Sequence, residues 1–287
     1  MALTITGYST ALYATWWFIE EWDLLFDCGD GVSAGLGQKG RKVKTIALTH
    51  VDRDHLSGLL NFLQLNGHGQ LPVIYYPADC SSVPALAEFS KRFDPQQEGE
   101  PQWVPVRVGD QVPIGKGRFL DVLPNEHIQA EPGQCKSVSY RVVERRRQLL
   151  DQHRQLSGPE IGALKKELGE DAVTKEVSRP LLGFSGDAAS PNAELWTGVP
   201  CLIHEATFLR TEKTSDLMIR HRHCRLPDVL SMAAEVKCRT LVLGHFSTRY
   251  SHEQILEAVE TDCEQVGYRG QVLLTLPGVL AQHRVEG

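Results

Sequence analysis

Four side chains that can hold a metal ion fall within six residues of the sequence: His50, Asp52, Asp54 and His55. Imidazole nitrogens and carboxylate oxygens are common ligands of divalent cations, and a bound cation can activate water for hydrolysis. On a tight turn, side chains this close in sequence converge on one or two ions. The alternative is a solvated turn whose Asp residues cap a helix. What the rest of the chain contributes decides between the two interpretations.

The cluster lies where a predicted strand meets a predicted helix. Residues 43–48 form an apolar run rich in β-branched side chains, which is typical of a buried strand. Residues 56–65 repeat Leu and Phe at helical spacing. The sequence therefore places the four candidate ligands on a strand-to-helix turn.

Other candidate ligands and charged groups follow predicted strands further along the chain. They are His127, Asp187, Glu205, His223 and His245. Polar residues at strand ends gather at one edge of a sheet, where layered and α/β sheets bind ligands. His127 taken alone is more often a surface histidine. The repetition of the pattern nevertheless predicts that these residues meet the first cluster.

A glycine-rich turn, Asp-Cys-Gly-Asp-Gly, occupies residues 27–31. Glycine lets the backbone bend sharply, and Asp27 is placed to orient metal-binding imidazoles through a hydrogen bond. An ordinary β-turn is the alternative. The Gly-x-Gly spacing lacks the rest of a dinucleotide-binding fingerprint, so no nucleotide cofactor is predicted.

The composition is that of an ordinary globular protein. Of the 287 residues, 41% are hydrophobic and 23% charged, which allows a sizeable core. The seven cysteines contain no Cys-x-x-Cys pair, which argues against a disulfide framework or zinc ribbon and favours a reducing compartment. We expect no leader peptide, no membrane span and a cytoplasmic location. A net charge of −6 argues against a protein that coats nucleic acid without specificity.

Predicted strands fall into two series. A meander over residues 3–26 opens the first, and antiparallel strands between 103 and 123 open a second β layer. Helices are predicted over 226–236 and 253–266, between the later strands. We expect residues 1–287 to form one domain.

Residues 144–179 differ from their surroundings because Arg, Lys, Gln and Glu predominate there. Two helices separated at Ser157-Gly158-Pro159 are the simplest interpretation, with Ser157 as the N-cap and Pro159 in the first turn. Strand patterns resume at Arg179 without a linker. We therefore interpret 144–179 as a helical insertion, or arm, within the main domain.

Five short motifs stand at the ends of predicted strands. They are Asp-Cys-Gly-Asp-Gly at 27–31, Thr-His-Val-Asp-Arg-Asp-His at 49–55, Phe-Ser-Gly-Asp at 184–187, His-Glu-Ala-Thr-Phe at 204–208 and His-Phe-Ser-Thr-Arg-Tyr at 245–250. This set resembles the motifs of the metallo-β-lactamase superfamily and, within it, of the ribonuclease Z family of transfer-RNA 3′-end endonucleases. The resemblance covers residues 27 to about 250. It implies an α+β fold built as a four-layer αββα sandwich, and a homodimer.

Carried over by position, the resemblance implies a dinuclear zinc centre. One zinc would be held by His50, Asp52 and His127, the other by Asp54, His55 and His245, and Asp187 would bridge both. A metal-bound hydroxide would be the nucleophile, because two cations lower the pKa of bound water and neutralise charge on a phosphodiester. Asp54 would orient this hydroxide and accept its proton.

The resemblance also implies a proton donor. Glu205, hydrogen-bonded to His223, would hold an imidazolium that protonates the departing 3′ oxygen. The distance in sequence to His245 makes His223, rather than His221, the matching position. The alternative for Glu205 and His223 is a buried structural ion pair.

Asp52 is the main departure from the family pattern, which has His at this position. A carboxylate oxygen binds zinc at about 2.0–2.2 Å. It also adds negative charge and shifts the preference toward manganese or iron. We expect a dinuclear site in which Asp52 is an oxygen ligand. His127 departs less, being followed by a longer loop than the family pattern has.

The arm is a further departure, because the family clasps transfer RNA with a glycine- and proline-rich arm, whereas residues 144–179 are predicted to be short and helical. We expect a metal-dependent phosphodiesterase that cleaves precursor transfer RNA or a related RNA 3′ end. One alternative is a hydrolase of small substrates, such as a cyclic nucleotide or a lactone, which the acidic net charge favours. The other is a non-catalytic binding protein that has lost the first metal through Asp52. The Glu205 and His223 match argues against that alternative.

Overall fold

Two β-sheets packed face to face form the centre of the molecule. The computed structural model describes residues 2–67, 70–93, 99–209 and 222–286. In chain order, the strands are β1 (Leu3–Thr10), β2 (Ala14–Ile19), β3 (Leu24–Phe26), β4 (Thr45–Ala47), β5 (Val73–Pro77), β6 (Gln102–Val106), β7 (Gln111–Gly115), β8 (Arg118–Pro124), β9 (Val138–Leu149), β10 (Thr174–Phe184), β11 (Cys201–Glu205), β12 (Thr240–Gly244), β13 (Gln271–Leu274) and β14 (Ala281–Val285). Within the described residues each sheet has seven strands, in the orders β14-β1-β2-β3-β4-β5-β6 and β13-β12-β11-β10-β9-β8-β7.

Helices cover the outer faces of both sheets. They are α1 (Val32–Leu36), α2 (Arg53–Leu56), α3 (Leu59–Asn66), α4 (Ser82–Phe93), α5 (Gly158–Leu168), α6 (Ala193–Trp196), α7 (Leu226–Glu235) and α8 (His252–Val266), with short 3-10 helices at Glu20–Trp22, Gly37–Lys42 and Asp151–His153. Helices α1, α3 and α4 pack on the first sheet. Helices α6, α7 and α8 pack on the second. The predicted αββα sandwich is therefore confirmed. Among these helices, none has the length and apolar character needed to cross a bilayer.

Alternation along β2 shows how the layers are joined. Trp17 points between the sheets, whereas Trp16 and Phe18 point outward into the helical layer. All six residues of β2 are buried, because both faces of the first sheet are covered. Between the sheets, the rings of Phe26 and Phe184 lie 4.7 Å apart, centroid to centroid. Large aromatic side chains thus fill the sandwich interior.

Parallel pairing explains why the predicted site residues meet. Strand β4 runs parallel to β3 and β5, and β11 runs parallel to β10 and β12. Within each sheet, the carboxyl ends of these strands therefore lie along one edge. The two edges adjoin, because Asp187 after β10 lies within 3.8 Å of His50 and 3.2 Å of His55, which follow β4.

The arm contains less helix than the sequence predicts. Residues 144–149 continue β9 and pair with β10, from Glu144 opposite Arg179 to Leu149 opposite Thr174. The predicted helix over this stretch is therefore wrong: cross-strand pairing outweighs the helical propensity of Arg, Gln and Leu. The second predicted helix is confirmed as α5, with Ser157 in a capping box and Pro159 in the first turn. That residues 1–287 form one domain stays a prediction.

Candidate metal centre

Ligand-type side chains from four parts of the chain converge at the shared edge of the two sheets. One group comprises Asp54, His55, Asp187 and His245, and a second comprises His50, His127 and Asp187, with the ligand atoms of each group within 4.8 Å of one another. These groups contain every residue to which the family resemblance assigns a metal except Asp52. Residues separated by up to two hundred positions in sequence therefore share one small volume.

Asp187 lies at the centre of both groups and is almost completely buried. Its Oδ2 atom lies 3.2 Å from Nε2 of His55, 3.3 Å from that of His245, 3.8 Å from that of His50 and 3.9 Å from that of His127. Burial works to raise the pKa of Asp187, but the charges of His245 and His55 hold this pKa well below its usual range. One ionised oxygen is thus positioned to serve two cations.

Thr49 fixes the orientation of His50. The Thr49 hydroxyl lies 2.9 Å from Oδ2 of Asp27 and 3.0 Å from Nδ1 of His50. Because a carboxylate accepts and does not donate, the hydroxyl proton goes to Asp27, and the Thr49 oxygen accepts the Nδ1 proton of His50. The Nε2 lone pair of His50 is then left facing Asp187, as a metal ligand requires.

Thr207 repeats this arrangement on the other side of the centre. Its hydroxyl donates to Oε2 of Glu205 and lies 2.9 Å from Nδ1 of His245. The Nδ1 atom of His55 bonds directly to Oδ2 of Asp27 at 2.8 Å. His127 Nδ1 donates to the backbone oxygen of Arg222 at 3.0 Å. All four imidazoles therefore present Nε2 to the centre.

The residues fit a divalent cation. The Nε2 atoms of His50, His55 and His245 are buried and have no hydrogen-bond partner in the described part of the chain. Buried polar atoms are costly unless they are paired. Nitrogen and carboxylate donors converge on the same space, and this donor set suits zinc, manganese or iron. One cation in each group would satisfy these nitrogens, His50 in one group and His55 and His245 in the other.

Asp54 faces the second group and remains accessible from outside. Its Oδ2 lies 3.5 Å from Nε2 of His245 and 3.7 Å from Nε2 of His55. The same oxygen accepts the backbone N–H of Leu12 at 3.2 Å. Leu12 adopts a left-handed φ of 71°, which is unusual for a residue other than glycine. The turn between β1 and β2 thus anchors this carboxylate.

Asp52 differs from the other candidate ligands because its side chain is 54% exposed. It occupies the N-cap position of α2, yet its side chain makes no capping hydrogen bond. Its Oδ2 instead lies 3.9 Å from Nε2 of His50 and 3.8 Å from Nε2 of His127. The interpretation of Asp52 as a helix cap is therefore wrong. Its carboxylate faces the first group from the solvent side.

Glu205 and His223 form a buried pair beside the second group. Oε1 of Glu205 lies 3.1 Å from Nδ1 of His223 and accepts the N–H groups of Ala188 and Cys224. Burial works to lower the pKa of His223, but the charge and hydrogen bond of Glu205 raise it to about 9. The imidazole is thus protonated at neutral pH. His221, the rejected alternative, lies outside the described residues.

Sequence reasoning missed several residues that hold the site together. Thr49 and Thr207 stand inside the motifs, but only their contacts reveal their role. Asn125 is a third: its side-chain amide donates to the backbone oxygen of Asp187 at 2.7 Å and accepts the N–H of His127 at 2.8 Å. Its place two residues before His127 is the one indication that the sequence offers.

Known proteins resemble this chain in sequence and in fold. A ribonuclease Z from Nocardia farcinica is 30% identical over 256 residues, which cover 79% of this chain and 78% of that protein. The chain belongs to the ribonuclease Z family. A chloroplastic tRNase Z of Arabidopsis thaliana is 27% identical over 264 residues, covering 89% of this chain and 70% of that protein. A metallo-β-lactamase fold protein of Bacillus subtilis superposes with a TM-score of 0.65 at 14% identity, covering 100% of both chains. No family model matches the chain.

Membership of the ribonuclease Z family confirms two predictions from the sequence. The fold is the metallo-β-lactamase sandwich, and the protein is a metal-dependent hydrolase. The two His and Asp groups are the candidate divalent-metal site of this hydrolase. Their residues come from the strand ends at which the sequence predicts a ligand-binding edge.

We expect Thr207→Val to weaken metal binding about 10- to 100-fold, the range typical for groups that orient a ligand. The substitution leaves the Nδ1 proton of His245 without its acceptor, so Nε2 is no longer held toward the centre. Thr207→Ser should restore most of the affinity because it keeps the hydroxyl. Competition with a chromogenic chelator measures the effect directly.

The matched control is Thr15→Val. Thr15 is also buried, but its hydroxyl pairs with that of Ser9 at 3.3 Å and not with a candidate ligand. Thr15→Val should leave metal affinity within about twofold of the starting protein, inside the small effects expected away from such sites. Equal losses in both valine variants would show that Thr207 has only a packing role.

Proposed function

We propose that this protein is an endoribonuclease that cleaves precursor transfer RNA, or a related RNA, at its 3′ end. The observation that carries the proposal is the buried Glu205 and His223 pair, which lies against two metal groups that share Asp187. A binding protein has no need of a proton donor at this position. Relatives named ribonuclease Z supply the substrate class.

The proposed cofactor is a pair of zinc ions, with manganese or iron as the alternatives. His50, Asp52 and His127 would hold one, Asp54, His55 and His245 the other, and Asp187 both. When bound, two such cations lower the pKa of a ligated water and neutralise charge that develops on a phosphodiester.

Asp54 is the proposed acceptor of the proton from the attacking water. Burial works to raise the pKa of its carboxyl, but the neighbouring imidazoles of His245 and His55 hold the pKa below its ordinary value. The Leu12 N–H donates a hydrogen bond to Oδ2 of Asp54, which holds this carboxylate in one orientation toward the metal groups. A positioned carboxylate of this kind can accept a proton without first reorganising.

His223 is the proposed donor of a proton to the departing 3′ oxygen. Its Nδ1 atom is engaged by Glu205, so Nε2 carries the transferable proton. The ring is only slightly exposed, at 13% of its side chain, and its centroid lies 5.2 Å from that of His245. His223 lies beside the metal groups, with Nδ1 3.9 Å from Oδ2 of Asp187, and forms a third ligand-type group with Glu205 and His245.

One preparation tested on three substrates examines this function. We expect cleavage of precursor transfer RNA at the 3′ side of the acceptor stem, together with slower hydrolysis of bis-p-nitrophenyl phosphate. An acyl-homoserine lactone should not be hydrolysed. Hydrolysis of the small diester alone would replace the proposal with a small-substrate phosphodiesterase, and hydrolysis of the lactone alone with a lactonase. Inactivity on all three would favour a binding protein.

A small phosphodiester is the second candidate substrate, and the charges of the arm favour it. Arg145 lies 3.6 Å from Glu176, and Arg146 lies 2.6 Å from Glu144. Arg147 pairs with Asp171. Phosphate binding by these arginines would have to compete with neighbouring acids.

The homodimer implied by the resemblance also stays a prediction, which sedimentation equilibrium would test.

We expect two metal ions per chain after purification without added metal, and fewer in Asp52→Ala. Asp52 faces His50 and His127, so its loss should weaken the first group and leave the second occupied. Elemental analysis measures the stoichiometry. Asp30→Ala is the control, because Asp30 is an exposed acid in the neighbouring turn. One ion or none in the starting protein would contradict the dinuclear site.

A further inference from the structure

A cavity of about 170 Å³ lies beside the metal centre, on the side of the second sheet that faces α6. It shares a wall with the centre, because Ser185 and Ala188 flank Asp187 and both line the cavity. Asn125 also lines it and donates to the backbone oxygen of Asp187. Anything bound there is within reach of a group held at the metals.

His204 lines this cavity and has no part in the proposed mechanism. It is 2% exposed, and its Nδ1 lies 2.7 Å from the backbone oxygen of Glu205. A carbonyl accepts and does not donate, so Nδ1 carries the proton. Burial lowers the pKa of His204, which keeps the ring neutral. Nε2 is then the hydrogen-bond acceptor of the ring.

The remaining walls suit a flat, partly polar group. Leu195 and the buried Trp196 supply apolar surface, and Ser190 and Asn192 lie on the exposed segment above them. The Asn192 oxygen caps α6, which leaves the amide protons of this side chain for another partner. The volume is below the roughly 300 Å³ of pockets for drug-sized ligands. It suits one ring system that offers an N–H to His204.

We infer that this cavity holds the nucleobase of a nucleotide that flanks the scissile phosphodiester. Every nucleobase that pairs offers an N–H donor and a planar apolar face, which are the two features that the cavity complements. A base there remains joined through its sugar to a phosphate at the metals. The inference deepens the proposed function and rests on it for the identity of the substrate.

Calorimetry on the metal-loaded protein tests the inference without turnover. The probes are the four nucleoside 5′-monophosphates and ribose 5-phosphate, which has the same phosphate and no base. We expect at least one nucleotide to bind about tenfold more tightly than ribose 5-phosphate, because stacking on an aromatic surface stabilises a bound base. Ser190→Trp, which fills the cavity from its exposed side, should bring this ratio close to one.

Thr197→Trp is the matched control, because Thr197 is exposed on the same segment and does not line the cavity. It should keep the ratio of the starting protein. Thermal unfolding and metal content of both variants show that they are folded. A ratio near one in the starting protein, or an unchanged ratio in Ser190→Trp, would overturn the inference. A high ratio in a protein that fails to cleave precursor transfer RNA would refute the proposed function alone.

Discussion

Replacing Asp187 with asparagine is expected to lower the hydrolysis of bis-p-nitrophenyl phosphate at least about a thousandfold, the loss of several kcal/mol of metal-assisted catalysis. Asp187 is the only side chain common to both metal groups among the described residues. Asparagine keeps the shape but removes the charge. The buried imidazoles of His55 and His245 then lose the carboxylate closest to their Nε2 atoms.

Turnover and metal content should fall together in Asp187→Asn. Asp121→Asn is the control, because Asp121 is partly buried and pairs with Arg141 at 2.9 Å, away from the centre. It should reduce stability slightly and leave metal content unchanged. A protein with Asp187→Asn that keeps two ions and normal turnover would remove Asp187 from the centre.

The second large effect is expected from His223→Ala, and it should depend on the leaving group. General acid catalysis contributes about 10²- to 10⁴-fold when the departing oxygen is a poor leaving group, as the ribose 3′ oxygen is. We therefore expect a loss of that size on RNA. With bis-p-nitrophenyl phosphate, whose nitrophenolate needs little protonation, the loss should stay below about tenfold.

Glu205→Gln should reproduce this pattern in a weaker form, because the glutamine no longer carries the charge that keeps His223 protonated. His252→Ala is the matched control, since His252 is exposed and bonds the backbone oxygen of Pro277. Equal losses on RNA and on the nitrophenyl ester would refute the role of His223 as an acid. Such a result would leave the Glu205 and His223 pair as a structural ion pair.

Much of the site could be predicted because its residues follow strands. His50 and His55 lie close in sequence, and Asp187 and His245 each come just after an apolar run. Parallel pairing of β10, β11 and β12 then brings Asp187 and His245 to one edge of the second sheet. Such a pattern predicts position reliably because a buried strand cannot shift its pairing register without exposing its apolar side chains.

The roles of Thr49 and Thr207 could not be predicted in this way. They depend on a hydroxyl reaching a carboxylate and an imidazole at once, and the second of these contacts joins residues 38 positions apart. The spacing of Thr207 and His245 in the sequence does not indicate that their side chains are in contact. The helix predicted over residues 144–149 was wrong for a different reason. Arg, Gln and Leu favour helices by intrinsic propensity, but a neighbouring strand can pair with the same residues and make them a strand.

Strand β14 was also missed. Its sequence, Ala-Gln-His-Arg-Val, contains only two apolar residues, and its partner, β1, is at the other end of the sequence. Edge strands show a poorer apolar pattern than central strands, because one side lacks a neighbour. Thr4, Gln282 and Arg284 give no sign of pairing until the sheet is assembled.

Glu205 has a consequence for engineering. One of its oxygens engages the imidazole of His223, and the other reaches His245 through the Thr207 hydroxyl. Any substitution of Glu205 would therefore change both the acidity of His223 and the metal affinity of the group that contains His245. The opposite flank is separable, because His127 is oriented by a main-chain oxygen and Asp52 faces solvent. A programme to exchange the metal should begin there.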